Sequence, residues 1–133
     1  MIDREDAERM LTLAKVDLKA IRNMPDPEAF EDSVFGFHAQ QAVEKALKAW
    51  LTLRGIPYPK THDLRLLLNL LEGTAQEDCQ RFESLVDLTD FAVQFRYDFP
   101  TPAHGLDRCS IISEAQSVIG HVERLLQLMD TLE

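Results

Sequence analysis

Residues 35–55 read FGFHAQQAVEKALKAWLTLRG. At 100° per residue, Phe35, Ala39, Ala42, Val43, Ala46, Ala49, Trp50 and Leu53 gather on one side of an α-helix. Gly55 stands where such a helix would end, because glycine tolerates the left-handed conformation of a C′ residue. Upstream, Asp26 can cap the helix and Pro27 fits its first position, so a helix over 27–54 is expected. Its opposite side carries Phe30, Val34, Phe37, Gln41, Glu44, Lys45 and Lys48. The later half of that side is polar and charged, as solvent requires. The earlier half holds two phenylalanines and a valine, which must be covered either by another helix of the same chain or by a subunit or partner.

The flanking sequence repeats the helical period. A first helix is expected over 3–22, with Asp3 as N-cap and Ala7, Met10, Leu11, Ala14, Leu18 and Ile21 facing inward. Beyond Gly55, Pro57 and Pro59 impose an extended connection. Thr61 can then cap a short helix over 62–72 that stops at Gly73. A further long helix is expected over 75–96, with Phe82, Leu85, Val86, Thr89, Ala92 and Val93 inward. Pro100 and Pro102 break the chain, and Asp107 caps a last helix running to the end. There Ile111, Ile112, Ala115, Val118, Ile119, Val122, Leu125, Leu126 and Met129 keep the i, i+3, i+4 spacing throughout. Strand patterns, internal repeats and low-complexity tracts are absent. The expected fold is all-α: an antiparallel four-helix bundle with a short extra helix between the second and third long helices, filling residues 1–133 as one domain.

Composition narrows the function. Hydrophobic residues make up 45% and charged residues 28%, enough to cover a core and solvate its outside. No apolar run approaches the roughly 20 residues of a membrane span, and the acidic start lacks a secretory h-region, so the expected address is cytoplasmic. Cys79 and Cys109 have no paired spacing and are expected as buried free thiols, and no metal or cofactor is implied. The net charge of −9 repels phosphate globally, so nucleic acid or nucleotide would need a local exception. One lies between Glu44 and Arg65, where Lys45, Lys48, Arg54, Lys60 and Arg65 face only two acids, Glu44 and Asp63. Thr61-His62-Asp63 would suit a metal phosphohydrolase only with further His and Asp ligands, and helix capping explains it more simply. No Gly-rich phosphate loop and no Ser-His-Asp or Cys-His arrangement occurs.

From Phe37 to Trp50 the chain reads FHAQQAVEKALKAW, and after Leu51-Thr52-Leu53-Arg54 it continues GIPYPKTHDL to Leu64. These blocks resemble the HEPN family, small prokaryotic helical bundles that often accompany a minimal nucleotidyltransferase. The segment Ala92-Val93-Gln94-Phe95-Arg96-Tyr97 is similar to the matching helix end of one HEPN subgroup. The resemblance implies a four-helix core, a homodimer, and binding of nucleotide or RNA or of a partner nucleotidyltransferase. Some members are metal-independent ribonucleases of the toxin kind, with an arginine, four to six intervening residues and a histidine assembled across a dimer cleft. The only candidate here is Arg96 with His104, whose seven intervening residues, Tyr97 to Ala103, exceed that pattern and include Pro100 and Pro102.

Three sets of residues are therefore singled out. His38, Gln41, Lys45, Lys48 and Lys60 could hold a phosphate and a base edge, or form a solvated face. Phe30, Val34 and Phe37 could form a dimer interface. Arg96 could hold a phosphate or meet the free carbonyls of a helix end, and His104 could move protons. The readings that remain are a nucleotide- or RNA-binding module serving a nucleotidyltransferase, an endoribonuclease, and a ligand-free scaffold.

Overall fold

The computed structural model describes residues 2–75, 79–92 and 106–132. Among these every regular element is helical: α1 (Arg4–Arg22), α2 (Asp32–Leu53), α3 (Leu64–Ala75), a 3-10 helix (Cys79–Phe91) and α4 (Arg108–Leu132). No helix of the described residues is long and apolar enough to cross a membrane.

Helix α2 is the axis of the bundle and packs on all the other elements. Fifteen of its 22 residues are buried, with Phe35, Ala39, Ala42, Val43, Ala46, Ala49, Trp50 and Leu53 in the core. The many alanines let α1 approach closely. Ala7, Leu11, Ala14, Leu18 and Ile21 of α1 meet this stripe, and Ala115, Val118, Ile119 and Val122 of α4 close it. Helix α1 runs antiparallel to α4, whereas α2 and α4 run the same way, with Arg108 meeting Asp32 at their starts and Trp50 meeting His121 further along. Lys15 of α1 pairs with Glu123 of α4, while Arg108 at the start of α4 reaches Met24, just past the end of α1.

The helix ends follow local chemistry. Asp3 accepts the Asp6 N–H, and Asp107 accepts the Ser110 N–H, each capping its helix. At the end of α2, Gly55 has φ 73°, its N–H donates to Thr52 O and the Ile56 N–H donates to Leu51 O. This pair of bonds is a Schellman stop, and it turns the chain back over α2.

Four expectations need correction. Helix α2 starts at Asp32 rather than Pro27, because residues 26–30 form a turn capped by Asp26. The cause is Arg108, whose guanidinium takes the carbonyls of Met24 (2.9 Å) and Phe30 (2.6 Å) and the Asp32 carboxylate (2.9 Å). A helix continuous from Pro27 would have committed the Phe30 carbonyl to its own ladder. Helix α3 is capped by Asp63, which accepts the Arg65 N–H, while Thr61 accepts the Asp63 N–H, so His62 stands outside the helix. In the described part of the third long segment the conformation is 3-10, and its buried residues Cys79, Phe82, Leu85, Leu88 and Phe91 recur every third position. Of its expected inward residues, Val93 lies outside the described residues. Cys79 is buried but Cys109 is exposed, on the outer side of the first turn of α4.

Candidate ligand-binding face

The polar side of α2 is organised by two buried carboxylates from different helices. Asp17 of α1 is only 7% exposed, and it accepts from Lys45 Nζ at 2.8 Å and faces His38 Nδ1 at 3.0 Å. Glu44 of α2 is 5% exposed and is met by Gln40 Nε2 at 3.0 Å, Lys48 Nζ at 3.1 Å and His62 Nδ1 at 2.7 Å. Gln40 also donates to the His62 carbonyl at 3.0 Å and accepts from Gln41 at 2.8 Å, which fixes the connector against α2. Burial pushes the Glu44 carboxyl up, but hydrogen bonds from Gln40, His62 and Lys48 outweigh it and hold it below the usual carboxylate range.

A carboxylate at Nδ1 orients each histidine ring. With the proton on Nδ1, the lone pair of Nε2 points away from the carboxylate and can accept from a ligand. The His62 side chain is 64% exposed and that of His38 31%, so both rings reach the surface. Lys45 and Gln41 are half-buried, whereas Lys48, expected on the same ligand-binding stripe, is 8% exposed and lies 5.4 Å from the centroid of the Tyr58 ring. Lys60 is exposed on the connector. The Tyr58 hydroxyl donates to Asp6 at 2.8 Å and anchors the connector a second time. Beneath it a cleft of about 490 Å³ is lined by Asp3, Asp6, Thr52, Gly55, Ile56, Pro57 and Tyr58.

Along the same helix side, toward its start, the surface turns apolar. Phe30 is exposed, Val34 and Phe37 are half-buried, and the Phe37 ring meets His38 edge-on at 5.3 Å. Leu13 and Val16 of α1, one turn or less from Asp17, are exposed as well. The second helix is therefore central, but the remaining elements do not fully cover these three residues.

The HEPN domain family model matches residues 7–132. The chain belongs to the HEPN family. No curated protein and no solved structure matched it. The match spans both blocks that carried the resemblance, one on α2 and one on the connector after it, and those blocks supply Gln40, Gln41, Glu44, Lys45, Lys48 and His62 of the face just described. Arg96 and His104, the residues set against the HEPN ribonuclease motif, lie outside the described residues. Among the described residues no group of three or more His, Cys, Asp and Glu side chains is gathered as a metal site.

Two residues of this HEPN face escape a reading of α2 alone. Asp17 lies within one turn of the core positions Ala14, Leu18 and Ile21, and an acid so close to an apolar stripe signals a paired carboxylate. His62 was expected in the first turn of a helix capped by Thr61, and only the fold-back of the connector brings it to Glu44.

Proposed function

We propose that this HEPN chain is a homodimeric module that binds nucleotide or RNA and serves a minimal nucleotidyltransferase. The observation that supports it is the divided outer side of α2: apolar Val34 and Phe37, with Phe30 in the turn before the helix, share it with His38, Gln41 and Lys45. The apolar part suits a second copy of the chain, and the polar part then borders the cleft between copies. Lys45 and His38 share Asp17, so they offer fixed donors and acceptors with little net charge. Such a face recognises a few phosphates and a base edge rather than coating a backbone, which matches the overall charge of −9.

The test is binding of a fluorescent single-stranded RNA and of labelled ATP, followed by anisotropy. Saturable binding weakened about tenfold by Lys45→Ala, roughly the worth of one charge-assisted contact, supports the reading. Unchanged affinity in Lys45→Ala and Gln41→Ala removes this face as the ligand site. Co-expression with a minimal nucleotidyltransferase tests the partner, and separate elution of the two proteins would count against it.

A further inference from the structure

One pairing on the α2 face has no part in the binding just proposed. That binding draws on His38, Gln41 and Lys45 around Asp17, whereas Glu44 and His62 form a second carboxylate–imidazole pair. Glu44 is fixed at both oxygens. Its Oε1 accepts from Gln40 Nε2 at 3.0 Å and faces His62 Nδ1 at 2.7 Å, and its Oε2 accepts from Lys48 at 3.1 Å. Burial opposes ionisation, but the bonds from Gln40, His62 and Lys48 outweigh it, so the carboxyl is charged at neutral pH. An ionised carboxylate only accepts, so Nδ1 must carry the ring proton and Nε2 keeps its lone pair.

Fastening the connector does not account for this pair. Gln40 already holds the His62 carbonyl at 3.0 Å, and Tyr58 ties the connector to Asp6 at 2.8 Å. The His62 side chain stays 64% exposed, so it adds little to the core. What the arrangement produces is an exposed nitrogen nucleophile of fixed tautomer, backed by a buried negative charge. Lys60, exposed two positions earlier on the connector, sets a positive charge within about 7 Å of chain, a local offset to the net −9.

We propose that His62 is a phosphoacceptor, its Nε2 taking a phosphoryl group from a donor of the phosphoramidate class, with Glu44 as the positioning residue. The Nε2 lone pair forms the bond to phosphorus as the P–N bond of the donor breaks. That electron pair leaves on the donor nitrogen, already protonated, which departs as a neutral amine. The ring keeps its Nδ1 proton and becomes cationic, and Glu44 lies against the developing charge. None of the residues around Asp17 takes part, so the step stands or falls apart from nucleotide or RNA binding.

Incubation of the whole chain with potassium phosphoramidate at neutral pH, followed by phosphorus NMR and peptide mass spectrometry in alkali, tests it. The first phosphoryl group is expected on His62 and as the Nε2 isomer, because Glu44 keeps Nδ1 occupied. His38, with Nδ1 on Asp17 but a side chain only 31% exposed, is the internal comparison. In the urea-unfolded chain all four histidines should react without that preference. His62→Asn should abolish the early signal. Glu44→Gln should slow it about tenfold, the worth of one charge-assisted hydrogen bond, and let Nδ1 react as well. Should Glu44→Gln fail to fold, the site and isomer selectivity of the parent chain decide. Labelling of another histidine as fast as His62, mixed isomers at His62 in the folded chain, or no gain over the unfolded chain overturns the proposal. An unchanged rate and isomer in folded Glu44→Gln removes Glu44 as the positioning residue.

Discussion

Arg108 shows how much of this fold depends on one side chain. Its guanidinium is 4% exposed, stacks 4.8 Å above the Phe35 ring and joins the 23–32 turn to the start of α4. Arg108→Ala would strand Asp32 and two carbonyls, so a loss of about 3 kcal/mol is expected in urea unfolding. Arg108→Lys should recover little, since an ammonium cannot bridge groups spread over a planar fork. Glu44 is the second such residue. Its carboxyl is held below the ordinary range, so its contribution is complete at neutral pH and is lost as pH falls through the folded value. Thermal midpoints measured from pH 7 down to about 3 should therefore fall, and Glu44→Gln should flatten that fall while lowering the neutral plateau. An equally steep acid loss in the variant would assign the effect to other carboxylates.

At the scale of elements, what could be read from the chain depended on whether the deciding partner was near in sequence. Helices α1 and α4 were legible because Asp3 and Asp107 cap them locally and their apolar stripes are uninterrupted. The start of α2 was not, since Asp26 and Pro27 do make a good helix start and only Arg108, far along the chain, redirects the carbonyls. The same reason hid half of the candidate face. His38, Gln41 and Lys45 followed from the period of α2, whereas the burial of Lys48 and Glu44 depends on a connector that folds back. The 3-10 segment was misread because Phe82 and Leu85 fit both periods and the choice depends on contact with α2. That contact is tight at Gly36, where a Cβ would collide with the Phe91 ring. Gly36→Ala is expected to cost about 1–3 kcal/mol by overpacking, despite the better helix propensity of alanine. Gly36→Ala/Phe91→Leu should recover part of the loss, and strict additivity in the double-mutant cycle would place the strain elsewhere.

For the whole molecule, the proposed assembly sets an apolar surface against a large like charge. Phe30, Val34 and Phe37 offer an apolar surface for a two-fold contact, and Leu13 and Val16 on α1 are exposed as well. A stable dimer needs roughly 600–1,000 Å² per partner, more than three side chains provide, so polar residues of the same face must join the contact. Two copies brought together each carry −9, and their mutual repulsion is felt across low-salt solution but is shortened to about 8 Å at physiological ionic strength. Added salt should therefore tighten the dimer, whereas it should weaken phosphate binding, because released counterions gain less entropy at higher salt. Sedimentation velocity at about 20 and 300 mM salt separates the two effects, since screening lengths differ several-fold between these conditions. The expected result is a dimer that dissociates on dilution more readily at low salt, with Phe37→Asp monomeric and folded at both. A parent chain that is monomeric at micromolar concentration in both buffers would refute the assembly. A dimer that loosens as salt rises would instead mean that ion pairs hold it, and that Phe30, Val34 and Phe37 face something other than a second copy.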